Sequence, residues 1–136
     1  MKIPSNHQEI MPYLILPSAE DFVNFMQQVF NAELTHKGFS PDSKIVMHAE
    51  IQVEGCTIMF CDATGQWKCQ PANMFIYVNN ADETYRNALS NGAESIMEPA
   101  DQSYGRSCGV KDPPRQYMVD HLIAIAPVYA TNTDYF

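Results

Sequence analysis

A histidine, a glutamate and a cysteine near the middle of this 136-residue chain have the most chemistry to offer. From Lys44 to Val53 the residues alternate as in a β-strand, setting Val46, His48, Glu50 and Gln52 on one face. Met47, Ala49, Ile51 and Val53 form the other face, which is all apolar and is expected to meet helices, leaving the polar face to a cavity or to solvent. Cys56 to Asp62 is a second strand, joined to the first by Glu54-Gly55, a two-residue turn in which Gly supplies a positive φ. In that register Val53 faces Cys56, Glu50 faces Met59 and His48 faces Cys61. An imidazole beside a thiol can generate a thiolate nucleophile, but a strand cysteine is more often a small packing residue, and the packing reading is the stronger. His48 suits a ligand hydrogen bond or a proton shuttle, set against a strand histidine satisfied by Glu50 or a backbone carbonyl.

Arg106, in the loop segment Tyr104-Gly105-Arg106, offers a guanidinium suited to bidentate contact with a small anion; the alternative is a surface ion pair. His7 falls in a polar N-terminal tail and His36 on an edge strand, where solvent exposure explains both. Trp67 lies in a mid-chain loop, to close over a cavity or a subunit interface or to anchor the connection by packing. The four cysteines, Cys56, Cys61, Cys69 and Cys108, include no CxxC pair, and without a secretion signal they read as free thiols. Structural zinc is not expected.

The composition narrows the partners. Sixteen acidic residues against eight basic give a net charge of -8, which lacks the basic footprint that a phosphate backbone requires. Nucleic acid and anionic membrane are therefore excluded as expected partners. No apolar run approaches a membrane span, the first residues lack the hydrophobic stretch of a signal peptide, and the cytoplasm is the expected address. With 46% hydrophobic residues and 18% charged, the chain reads as one globular domain.

The elements that must position these groups repeat. Ile10 to Leu16 is an apolar strand, and Ser18 with Asp21 opens a helix whose residues Phe22, Phe25, Met26, Val29 and Phe30 make one buried stripe. Glu33 to Phe39 is a weaker strand, and the hairpin follows. After a turn-rich connection, Ala63 to Ala72, the pattern recurs. Asn73 to Val78 is a strand, Asn80 caps a helix with an apolar stripe of Ala81, Tyr85, Ala88 and Leu89, and Asn91-Gly92 ends it. Strands then follow at Glu94 to Glu98, Ser107 to Lys111 and Gln116 to Ala126, with a loop over residues 99–107. Ser18-Ala-Glu-Asp and Asn80-Ala-Asp-Glu lie 62 residues apart, so both halves read strand, helix and three strands.

Two βαβββ modules in one chain of this length resemble the vicinal oxygen chelate superfamily of glyoxalase I, bleomycin-resistance proteins and extradiol dioxygenases. Tyr13-Leu14, Val29-Phe30-Asn31-Ala32-Glu33, Met47-His48-Ala49-Glu50, Ile58-Met59 with Asp62, Asn91-Gly92-Ala93, Tyr104-Gly105-Arg106 and Asp112-Pro113 carry the resemblance. It is nearest to the PhnB-like branch. The resemblance implies an α+β fold in which the modules form one curved mixed sheet with a concave cavity. Its domain spans residues 10–126 (modules 10–62 and 73–126, linker 63–72), with tails at 1–9 and 127–136. It also implies metal-ligand positions at about Met11 and Asn73 on the first strands and near Cys61 and Val119 on the last. Met and Val offer neither carboxylate nor imidazole, so the usual metal site is not expected, and neither is a cofactor. The methyltransferase label sometimes attached to this branch is also set aside, for the six glycines form no GxGxxG loop.

On the last strand His121 alternates with Tyr117 and Val119 and can line the same cavity or sit at an exposed strand end. The expected ligand contacts are thus Tyr13, His48, Glu50, Cys61, Asn73, Arg106, Tyr117 and His121. The favoured function is binding of a small molecule without metal. An enzyme with an atypical site around His48, Glu50, Cys61 and His121 is the alternative, and a structural protein with a vestigial cavity is a third reading. A homodimer is expected.

Overall fold

The computed structural model describes residues 2–113 and 122–127. They form two compact units, divided between Gln70 and Pro71, each with one helix and its own four-stranded mixed sheet. This is the expected α+β class with two βαβββ modules.

In the first unit the sheet order is β1-β4-β3-β2, built from β1 (Tyr13–Leu16), β2 (Glu33–Phe39), β3 (Val46–Val53) and β4 (Cys56–Asp62). Helix α1 (Ala19–Phe30) starts at Ser18, whose hydroxyl accepts from the Asp21 N–H at 3.3 Å, and Glu20 and Asp21 oppose the positive end of its dipole. All five residues of the predicted stripe are buried, and Val23 widens it. Phe22 meets Phe60 edge to face at 5.1 Å, and each such side chain contributes about 1.5–3 kcal/mol by burial. Asn31 closes the helix in the left-handed region at φ 53°.

Three details differ from the sequence reading. β1 begins at Tyr13 and not at Ile10, because Pro12 has no N–H to give a ladder, although its carbonyl still accepts from Met59 N at 2.9 Å. β3 begins at Val46 and not at Lys44. A bulge then places Phe39 opposite Val46 and Gly38 opposite His48, leaving Met47 as the extra residue. Alternation slips by one there, so Val46 is buried while Met47, expected on the apolar face, is exposed. The β3–β4 hairpin has the predicted register, with Val53 opposite Cys56 and Glu50 opposite Met59. Its turn puts both Glu54 (φ 48°) and Gly55 (φ 81°) in the left-handed region, the geometry of a type I′ turn.

The second unit repeats the plan in the order β5-β8-β7-β6, with β5 (Asn73–Val78), helix α2 (Ala81–Ser90), β6 (Glu94–Gln102), β7 (Gly105–Lys111) and β8 (Leu122–Pro127). Asn80 caps α2 by accepting from Glu83 N at 3.1 Å. Ala81, Tyr85 and Ala88 are buried, but Leu89, at the flank of that stripe, is 37% exposed. β6 runs on through Pro99 to Gln102, where a loop was predicted. It is the sheet edge and carries two register shifts, and an edge with bulges tolerates a residue that cannot donate. Cys108, Val110, Ile123 and Ile125 fill the core. Burial pushes the Cys108 thiol up to about 11. Tyr117, Val119 and His121 of the predicted last strand lie outside the described residues.

Candidate functional site

Strand register defines the face opposite α1 in the first unit. Tyr13 pairs with Met59, Glu50 with Met59, and His36 with Glu50, so these side chains share the open face with Cys61 and His48. Four of the expected ligand contacts, Tyr13, His48, Glu50 and Cys61, therefore converge on one side of one sheet. The partner of His48 is the Glu50 that the sequence offered as an alternative, and the pairing of His48 with Cys61 is not seen. The His48 imidazole turns to Glu50 along its own strand, with Nε2 3.1 Å from Oε1, and the Cys61 thiol lies beside the Tyr13 hydroxyl. Burial, and after it the neighbouring Cys61, push the Tyr13 hydroxyl above the usual tyrosine range. Tyr13 and His48 stack with ring centroids 5.9 Å apart, and His36 lies 5.6 Å beyond His48. His36, expected to be explained by exposure alone, therefore has a ring neighbour.

Sequence reasoning missed His7. Instead of pointing to solvent from a tail, its Nε2 lies 3.0 Å from Glu50 Oε2, with only 16% of its side chain exposed. The neighbouring residues dock the same segment. β1 is too short to reach Thr57 on β4, and the Gln8 side-chain amide takes the place of a strand there. It donates to the Thr57 carbonyl at 2.7 Å and accepts from the Thr57 N–H at 3.2 Å. The Thr57 hydroxyl donates to the Asn6 carbonyl, and Gln52 Nε2 lies 3.3 Å from the same oxygen. The signal for this strap was Glu50, since a carboxylate facing in from a strand needs donors, and few donors were available. Burial alone pushes the Glu50 pKa upward, but the hydrogen bonds from His7 and His48 outweigh it and hold the carboxyl below its ordinary value. Glu50 is therefore ionised at neutral pH, though only 8% exposed.

The remaining candidates lie elsewhere. Arg106 is part of β7 and not of a loop. It forks onto Asp82 in the first turn of α2 (Nε–Oδ2 2.5 Å, Nη2–Oδ1 2.7 Å) and reaches Asp101 at 3.1 Å. Those bonds raise its pKa and lower that of Asp82, and they occupy the fork expected to meet an anion. Asn73 is exposed at the start of β5, opposite Leu122. Trp67 is 57% exposed and does not anchor the connection by packing. All four cysteines are free. Asp62 has a structural role, accepting from Ala19 N and Val46 N at 2.7 Å each, which ties the start of α1 to the start of β3. A cleft of about 440 Å³ opens beside it, lined by Ser18, Lys37, Lys44 and others, and contains none of the predicted contacts.

The profile of the Glyoxalase/Bleomycin resistance protein/Dioxygenase superfamily matches residues 8–119, and the chain belongs to that superfamily. It is 26% identical over 137 residues to the uncharacterized protein Mb0911c of Mycobacterium bovis, covering 92% of this chain and 87% of that one. Among solved structures, TioX from a Micromonospora species is similar with a TM-score of 0.65 at 18% identity, covering 90% of this chain and 99% of that chain. A PhnB protein from Bacillus cereus, described as a 3-demethylubiquinone-9 3-methyltransferase, is similar with a TM-score of 0.62 at 16% identity over 88% and 100% of the two chains. At the metal positions that the resemblance implies, the described residues offer neither carboxylate nor imidazole. Met11 offers a thioether, Asn73 an amide, and Cys61 a thiol beside Tyr13. Among the described residues no three His, Cys, Asp or Glu side chains gather to hold an ion.

Proposed function

We propose that the protein is a PhnB-like, bleomycin-resistance-type binder of a small molecule, taken up on the open face of the first sheet without the superfamily's usual metal. The observation that carries the proposal is the convergence of Tyr13, His48, Glu50 and Cys61 on that face, with a ring row for stacking and a fixed carboxylate for orientation. A thermal-shift screen of aromatic antibiotics, phosphonates and glyoxal adducts tests it. A ligand at a hundredfold excess over its Kd adds about 2.7 kcal/mol to stability, and Tyr13→Ala or His48→Ala should abolish the gain. The binding reading fails if no class shifts the melting temperature, or if the shift survives both substitutions. Stoichiometric zinc, nickel or iron in the purified protein, lost on His48→Ala, would overturn the metal-free part.

The wider reading is a single domain over residues 10–126, a homodimer and a cytoplasmic address, with no nucleic-acid partner. The charge of -8 supports the last point. No helix among the described residues is long and apolar enough to cross a membrane. An enzyme built around His48 and Glu50 is the second reading, favoured by the hydrogen bond between them.

A further inference from the structure

We infer that His48 is the proton acceptor of this face, taking a proton at Nδ1 from a weakly acidic small molecule such as a phenol or an imide, with Glu50 and His7 as positioning residues. The inference rests on the proposal that the open face of the first sheet binds a small molecule. His48 Nε2 lies 3.1 Å from Glu50 Oε1, and an ionised carboxylate only accepts, so the ring hydrogen sits on Nε2. The lone pair of the neutral ring is then on Nδ1. Nδ1 has no hydrogen-bond partner among the described residues, and the His48 side chain keeps 34% of its surface exposed. Tyr13 and His36 flank the ring and limit its tilt. The second oxygen of Glu50 is held by His7 Nε2 at 3.0 Å, so the carboxylate cannot swing away from His48.

The step balances without a further reactant. The ligand O–H or N–H bond breaks, its electron pair stays on the ligand, and the proton forms the Nδ1–H bond of an imidazolium. The new positive charge lies against the Glu50 carboxylate, 3.1 Å from Nε2. The other titratable groups facing this patch are Tyr13 and Cys61 from β1 and β4, His36 and Glu33 from β2, and His7 from the strap. Glu33 stands opposite Gln52, farther along the face. Glu50 is thus the carboxylate in contact with the ring.

The probe is 4-nitrophenol, whose anion absorbs visible light, buffered just below its own ionisation midpoint. Wild-type protein should deepen the phenolate band in step with binding followed by NMR line broadening. 4-Nitroanisole, which has no proton to give, should bind about fivefold more weakly. Glu50→Gln should lose the band even at 4-nitrophenol concentrations that saturate the protein. His48→Gln should lose the band altogether, and His7→Ala should diminish it. Nitrogen shifts should place the His48 hydrogen on Nε2 in the wild type and show a mixture of the two neutral tautomers in Glu50→Gln, a change that a purely structural role of Glu50 would not produce. Melting curves identify any variant that fails to fold, and the wild-type tautomer remains a test in that case. Binding of 4-nitrophenol without a deeper band, or a band that survives His48→Gln, overturns the proton acceptor and leaves the binding face standing. If neither compound binds, the proton acceptor for phenols is overturned, while the binding face is judged by the thermal-shift screen.

Discussion

Glu50 shows how one side chain can set both acid sensitivity and site chemistry. Its native pKa lies below its unfolded value of about 4.3, so its contribution to stability is complete above about pH 5 and disappears as the pH falls through the lower native value. Melting temperature measured from about pH 5 down to pH 3 should therefore drop more steeply in the wild type than in Glu50→Gln; parallel curves would contradict the depressed pKa. Asp62 makes a different point. Asp62→Ala strands the N–H groups of Ala19 and Val46 and should cost about 2–4 kcal/mol in urea unfolding, more than the ~1 kcal/mol expected for the cap in Ser18→Ala. At this scale the sequence was a partial guide. Alternation placed His48 and Glu50 on one face because it depends only on backbone geometry. It could not tell that Arg106 would be spent on Asp82, or that Cys61 would settle beside Tyr13, since those choices depend on which distant groups fold into reach.

Among the elements, local chemistry was legible wherever it was self-sufficient. Ser18 and Asn80 each cap a helix with their own side chains, and the Glu54-Gly55 hairpin follows from its two-residue spacing. What was not legible came from strand neighbours. The bulge at Met47 reflects how β2 pairs with β3, and the continuation of β6 through Pro99 reflects its place at the sheet edge. The turn also yields a prediction. Glu54 occupies a left-handed conformation that costs a residue with a long side chain about 1 kcal/mol, whereas Asn adopts it readily. Glu54→Asn should therefore raise the unfolding free energy by about that amount, seen as a higher urea midpoint with an unchanged m-value, and a lower midpoint would rule out this turn geometry.

The whole molecule is one plan used twice, with the same strand order in each unit but different surface chemistry. The first unit gathers rings and a carboxylate on its open face, while the second spends its best cation on a clamp between α2 and β7. Arg106→Lys should accordingly lower the melting temperature through loss of the bidentate fork, yet leave ligand titrations of the first unit unchanged. The proposed dimer should sediment at twice the chain mass, and a monomer at micromolar concentration would refute it. The Gln8 bridge closes a loop of 49 residues in sequence onto one backbone amide. Deuterium uptake at Thr57 then becomes a clock for release of that strap, because its N–H is shielded only while Gln8 stays in place. A ligand that settles against Glu50 with His7 still docked should slow that clock, and one that displaces His7 should speed it, so a single amide can report which way the face is entered.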